Sequence, residues 1–377
     1  MTSVYKLTIS NLFNFLFILF AVMAPISQSY FVRMFNVTNI MFILRLILLL
    51  LATINIFVEP QKIKNWLIFA LIGIAAILST FFSNEFNLLT IIIFVMSVRS
   101  KDVPKLIKFL GIGNLIGLTI IVFCSVLGIL PNYIQFQTGR IRHSLGFLLP
   151  VHLSGFYMNF GLSYVYIYKD KFTLKRLFIV VMPAFIIYLL SVGRASFYTL
   201  LLIAVITFLE NHLKNRTKFI LTNLTNHFAK LLYLFTFAIS IIVGIFYRTS
   251  SLLIELNYMF TGRFYWFYLY WQRYSPKLFG QPLLRVSIAQ NRQTGARMMI
   301  LDSANLTLLL ENGIIMTVIV SVLIFMLISR LKKENDLTSL IIWVALIATF
   351  PLGYTALFFW RNPLLFQFAL LKENVKE

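Results

Sequence analysis

Apolar runs of about twenty residues recur along the whole 377-residue chain, and nothing constrains its fold more tightly. Inside a bilayer no backbone amide or carbonyl can stay unbonded, so runs of that length have to be helices that span it. With 60 % hydrophobic residues, 12 % charged residues and a mean hydropathy of +0.87, the chain reads as an all-α polytopic membrane protein. The runs fall near residues 11–32, 37–58, 65–82, 86–98, 106–130, 148–168, 177–192, 196–210, 229–247, 305–329 and 338–360. They predict about 11–12 transmembrane helices in a single integral domain over 1–377. The twelfth depends on whether Asn362–Leu371 is a half-length span or a surface segment. The first run lacks a small-x-small cleavage signature and reads as a retained span, not a removed signal peptide.

Threaded with the amino terminus inside, the chain puts every second link on the basic side. The inner links hold Lys62 and Lys64; Arg99, Lys101, Lys105 and Lys108; Lys169, Lys171, Lys175 and Arg176; Lys214, Arg216, Lys218 and Lys230; and Arg330, Lys332 and Lys333. With Lys6 that is fourteen Lys and four Arg, against one Lys and ten Arg in the outer links. The positive-inside bias accounts for the Lys but runs against the outer Arg. Arg differs from Lys in its planar fork, which grips phosphate oxygens from two sides. The net charge of +21 is therefore spread as topology determinants, without a groove or motif for nucleic acid, and no nucleic-acid partner is expected. Cys124 is alone, which rules out an intrachain disulfide.

One link is long. Residues 248–304 form a large outer loop between the ninth and tenth spans, and loops of that size usually carry function. Its first part holds the run Phe264, Tyr265, Trp266, Phe267, Tyr268, Leu269, Tyr270, Trp271, which suits a helix lying in the headgroup zone or a stacking face for sugars. Its second part, Lys277–Met299, reads as an irregular, lid-like segment.

Gly-Arg pairs stand at Gly139-Arg140, Gly193-Arg194 and Gly262-Arg263, with the looser Gly295-Ala296-Arg297 as a fourth. Composition alone gives about 0.7 such pairs. Gly admits close approach of backbone amides to an anion, and Arg adds a charge-assisted contact, so a pyrophosphate would satisfy several at once. Lipid headgroups or outer carboxylates are the alternative partners, although Glu85, Glu255, Asp302 and Glu311 are too few to neutralise ten Arg. Arg45, inside the second span, either faces a cavity or snorkels to the surface. His143 and His152 are candidate general bases, or structural residues. Asp302, at the start of the tenth span, either caps that helix or orients an Arg or a hydroxyl. No Asp-x-Asp, metal-spaced His/Asp/Glu cluster, Walker loop or nucleophile elbow is present, so neither metal nor cofactor is expected.

Taken together, four segments resemble the Wzy-type polysaccharide polymerases of the O-antigen polymerase and ligase superfamily. They are RIRHSLGFLLP at 140–150, SVGRAS at 191–196, TGRFYW at 261–266 with Leu278–Gly280, and LDSANLTLLLENG at 301–313. Their order and spacing match over almost the whole chain. Val151 departs from the pattern, standing where relatives commonly place Asn. The resemblance implies a metal-independent glycosyltransferase that joins undecaprenyl-pyrophosphate-linked oligosaccharide repeat units at the outer face of a bacterial cytoplasmic membrane. Its other partners would be the bilayer and further capsule or exopolysaccharide assembly proteins. On that resemblance Arg140, Arg142, Arg194 and Arg263, with Arg297 and Arg45, are expected to hold pyrophosphate or glycan, and His143 or Asp302 to activate the acceptor hydroxyl. A sibling ligase would use the same donor site. A flippase for the same lipid is the rival from another class, and Arg45 alone among the charges speaks for it.

Overall fold

A computed structural model of the chain describes residues 2–58, 62–137, 140–260, 262–286, 298–353 and 362–372. Helices dominate among them: α1 (Thr2–Ile26), α2 (Phe31–Met34), α3 (Val37–Val58), α4 (Ile63–Ser83), α5 (Asn87–Ser97), α6 (Val103–Val126), α7 (Pro150–Tyr168), α8 (Leu174–Ser191), α9 (Arg194–Glu210) and α10 (Asn215–Phe246). There follow α11 (Ser251–Met259), α12 (Arg263–Arg273), α13 (Ala304–Leu306) running into a π-helical turn at Thr307–Asn312, α14 (Gly313–Lys333), α15 (Leu337–Thr349) and a 3-10 helix at Pro363–Leu371. Strands β1 (Ile134–Gln137) and β2 (Arg140–His143) make an antiparallel hairpin with Ile134 opposite His143.

Six helical segments among the described residues are long and apolar enough to cross a bilayer: Val37–Val58, Ile63–Ser83, Ser100–Val126, Leu174–Ser191, Asn215–Phe246 and Ala304–Lys333. Their outward faces are apolar. α3 exposes Ile40, Phe42, Ile43 and Leu50, and α8 exposes Phe178, Met182, Phe185, Ile186 and Leu189. Surface of that kind suits hydrocarbon, not water. The chain is an all-α membrane protein.

Because lipid is as apolar as Leu, helices in it associate through close backbone approach at small residues. α6 does this with α1: a Cβ on Gly113 would lie 2.5 Å from the Ala21 side chain, and one on Gly117 would lie 2.3 Å from the Val22 carbonyl oxygen. On another face of α6, a Cβ on Gly111 would lie 2.5 Å from Cβ of Ser163 in α7. α1, α6 and α7 thus form the tight centre of the bundle.

The links sort into two ends. At one, Lys218 Nζ pairs with Glu210 at 2.7 Å, Lys169 pairs with Asp336, and Asn211 Nδ2 donates to the Phe172 carbonyl at 3.2 Å. At the opposite end the hairpin and the segment after it lie over α1 and α8: Leu148 N donates to Gln28 O at 3.0 Å and Arg142 Nε to Ser191 O at 2.9 Å.

Several spans differ from the sequence expectation. The first run does not continue to residue 32, because the Ser27 and Ser29 hydroxyls bond back to Ala24 O and Ile26 O and the Tyr30 amide goes to Gly146 O instead. The expected loop at 214–230 is the polar start of α10, which runs over 32 residues. The tail is not a surface segment. Leu364, Leu365, Phe366 and Ala369 are buried, Trp343 Nε1 donates to Gln367 Oε1 at 2.7 Å, and Lys372 Nζ donates to Met96 O at 2.9 Å.

The expected tenth span is broken. At Gly313 (φ 90°) the helix interrupts, and the loop segment 277–281 crosses it. Gln281 N donates to Glu311 O at 3.1 Å and Ser79 Oγ to Asn312 O at 2.8 Å, while Ile314 N and Ile315 N donate to Lys277 O and Leu278 O at 3.0 and 3.1 Å. Irregular backbone survives in an apolar surrounding when other protein groups bond it in this way.

Candidate functional site

Two charged centres lie towards the hairpin end. The first is built on the turn between α8 and α9. α8 ends as Val192 takes a left-handed conformation (φ 53°), its amide bonding Tyr188 O at 2.8 Å. Gly193 (φ −77°, ψ 67°) is then the centre of an inverse γ-turn closed by Arg194 N to Val192 O at 2.9 Å. A β-branched residue at positive φ is strained, and such strain persists only where the surroundings impose it. They do here: a Cβ on Gly193 would lie 2.2 Å from Ser154 Oγ of α7. The turn therefore starts α9 with Arg194 exposed at the bundle end.

Alternation along β2 puts Arg140 and Arg142 on one face of the hairpin. Arg142 Nε satisfies the carbonyl of Ser191, the last residue of α8, and burial lowers the pKa of its guanidinium. Arg140 and Arg194 both act electrostatically on the Tyr198 phenol, which is hydrogen-bonded to Tyr188. Three of the sequence-predicted residues, Arg140, Arg142 and Arg194, thus meet around one turn. His143 is a neighbour in β2 but belongs to the opposite face. Its Nδ1 lies 3.0 Å from Asn132 Nδ2, and Asn132 Oδ1 accepts from Leu145 N at 3.0 Å. His152 Nδ1 lies 3.4 Å from Gln28 O.

The second centre holds Arg263, the first residue of α12, whose Nε is 3.4 Å from Asp302 Oδ2. Asp302 is not the helix cap: Ser303 Oγ takes that place, accepting from Leu306 N at 3.3 Å. Of the two roles open to Asp302, the geometry matches orientation of an Arg. Burial raises the pKa of its carboxyl, against the pull of Arg263 and then Arg285. Arg285 in turn donates from Nη2 to Glu311 Oε2 at 2.9 Å and to Thr307 Oγ1 at 3.3 Å. Glu85 is close enough to act on both Glu311 and Arg45, and Arg45 Nε donates to Thr90 Oγ1 at 3.1 Å. Charges therefore alternate from Arg263 through Asp302 and Arg285 to Glu311, with Glu85 and Arg45 beyond. Arg297, Gly139 and Gly295 lie outside the described residues.

The aromatic run of α12 is not a free belt. Phe264, Phe267 and Tyr270, at helical spacing, are buried against Val243, Leu306 and Leu310, and Tyr270 Oη donates to Leu284 O at 2.6 Å. That packing seats the start of α12, and so Arg263, beside Asp302. Sequence reasoning passed over Arg285 and left Glu311 as a bystander. The available signal was an acid about two turns inside an apolar span, which is costly unless paired.

Among the described residues no group of three or more His, Cys, Asp and Glu is placed to hold a metal ion. What the site offers is guanidinium for an anion, with carboxylates that hold two of the Arg in position. No family description, curated protein or solved structure matches the chain.

Proposed function

We propose that this protein is a Wzy-type polymerase, joining undecaprenyl-pyrophosphate-linked repeat units into a surface polysaccharide at the outer face of a bacterial cytoplasmic membrane. The observation that carries the reading is the meeting of Arg140, Arg142 and Arg194 at one turn, at the end of the bundle away from the Lys169 and Lys218 ion pairs. On this reading the Lys-rich end is cytoplasmic, the bundle has about 11–12 spans, and residues 248–304 are an extracytoplasmic loop. The acceptor hydroxyl oxygen attacks the anomeric carbon of the donor, the bond from that carbon to the pyrophosphate oxygen breaks, and the diphosphate leaves with the electron pair. Asp302 takes the hydroxyl proton, since His143 is turned to the hairpin face away from Arg140 and Arg142, and the configuration inverts. Arg donors set around the departing diphosphate stabilise charge that grows in the transition state, each by about 10² to 10³ in rate.

The test is reconstitution of the purified chain with a lipid-linked repeat unit in EDTA, reading chain extension on a gel. Extension supports the reading, and single units that stay single sink it. The break at Gly313, with Arg45 nearby in the charge sequence, favours one rival, a flippase for the same lipid. A flippase would move labelled lipid across the vesicle without extending it.

A further inference from the structure

The β1–β2 hairpin has two unlike faces. In its register Ile134 lies opposite His143 and Phe136 opposite Ile141, while Gln135 lies opposite Arg142. Alternation along the strands gathers Ile134, Phe136 and Ile141 on one face and Gln135, Arg140 and Arg142 on the other. The polar face is turned to the bundle, since Arg142 Nε donates to Ser191 O at 2.9 Å. The apolar face is turned away from it: Phe136 is 78 % exposed, Ile141 53 % and Ile134 43 %. A two-stranded hairpin is marginal in water by itself, and three large apolar side chains along one side of it call for a cover.

The neighbouring helices identify that cover. The hairpin follows the end of α6, and just past β2 it comes back to the same helix, where a Cβ on Gly146 would lie 2.9 Å from Ile121 Cγ2. The last turn of α6 exposes Phe123 and Val126, and the link after it exposes Leu127 and Ile129. On its other side the hairpin is bonded through Arg142 to the end of α8, which exposes Ile186 and Leu189 shortly before Ser191. Both helices are long and apolar enough to cross a bilayer, so these exposed residues face lipid. The apolar face of the hairpin continues that lipid-facing surface past the two helix ends. Open strand edges are not tolerated in hydrocarbon, which sets the depth of the hairpin at the boundary between headgroups and acyl chains.

We propose that the hairpin is an interfacial wedge whose Ile134, Phe136 and Ile141 rest on the acyl-chain boundary of the leaflet at that end of the bundle. Its partner is a lipid surface. Lipid covers one face and so holds the other, with Arg140 and Arg142, against the bundle end at headgroup depth. The wedge goes beyond the polymerase reading and does not depend on it.

Because Cys124 is the only cysteine, a Cys124→Ser background allows single labels. The full chain in phosphatidylcholine nanodiscs carries bimane at Phe136→Cys, Ile141→Cys or Gln135→Cys. Lipid with a nitroxide about 5–10 Å below the phosphates should quench the label at positions 136 and 141 about twofold or more above position 135. Quenching of position 136 by aqueous iodide and not by the lipid nitroxide overturns the proposal and marks the face as one for a protein partner. Equal lipid quenching at 135 and 136 overturns the two-faced arrangement. In the unsubstituted protein, phosphatidylcholine with a diazirine at the same depth should label the peptide 134–143. A peptide free of label there overturns the proposal without any variant having to fold.

Discussion

Gly280 lies against the backbone of Glu311 so closely that a Cβ on it would sit 1.9 Å from the Glu311 carbonyl oxygen. Gly280 also holds φ at 92°, and Gly313 holds φ at 90°. Two left-handed glycines therefore let the loop cross the broken helix and supply its missing hydrogen bonds. Gly280→Ala meets both a clash and an unfavourable φ, and should cost about 2–4 kcal/mol. A thermal unfolding midpoint in detergent unchanged from wild type would refute this account of the crossing.

Arg194→Lys and Arg263→Lys keep the charge and remove the fork. A compact ammonium cannot hold two phosphate oxygens in a fixed plane, so each should lower chain extension by about 10² to 10³ while leaving membrane insertion intact. Arg142→Lys should behave differently. Arg142 Nε serves the Ser191 carbonyl, so its loss should lower thermal stability together with activity. Polymer of wild-type length in the Arg194 variant would remove the anion-holding role of that turn.

How much of this was legible follows the type of signal. Length and hydropathy placed α3 at 37–58, where the structure has it, because a lipid-facing helix must be apolar along its whole length. The same rule hid the first turns of α10, whose polar residues lie outside any apolar run yet are helical. The break at Gly313 was hidden because Glu311-Asn312-Gly313 sits inside a longer apolar run, and its bonds come from partners distant in the chain, the segment 277–281 and Ser79 of α4. The Gly-Arg pairs identified Arg140, Arg194 and Arg263 through local composition. Arg285 and Glu311 were missed since their pairing spans a loop and a helix, a tertiary relation that no local motif records. Gly113 and Gly117 were legible in principle, being small residues one helical turn apart in an apolar run.

Asp302 gives the pH prediction. Its carboxyl is raised above the ordinary 3.8, so the native state holds this proton more tightly than the unfolded chain. Its stabilising contribution is complete below 3.8 and is lost as pH rises through the folded value, where burial of the charge begins to cost. Asp302→Asn keeps the shape without the charge, so it should raise thermal stability at neutral pH relative to wild type, with the difference shrinking as the pH falls below 4. If Asp302 orients Arg263, the same variant should lower chain extension although the protein is more stable. Melting curves across that pH range, run beside the extension assay, separate the two effects. A variant less stable at pH 7 than at pH 4, relative to wild type, reverses the sign and refutes the burial argument.

Gly193 and Ser154 make the most direct test of the Arg-bearing turn. A Cβ on Gly193 would lie 2.2 Å from Ser154 Oγ and 2.4 Å from Ser154 Cβ, so Gly193→Ala must push α9 away from α7 or distort the γ-turn. Overpacking of this kind costs about 1–3 kcal/mol, and it displaces Arg194, the next residue. Ser154→Gly removes both clashing atoms. The double variant Gly193→Ala with Ser154→Gly should therefore recover most of the stability and of the chain extension lost in the single one, with a coupling of about 1–2 kcal/mol in a double-mutant cycle. Additive losses in that cycle would mean that Gly193 is required for its own backbone conformation and not for its fit to α7. Recovery of stability without recovery of extension would mean that the Ser154 hydroxyl has a part in the chemistry that its contact with Gly193 alone does not explain.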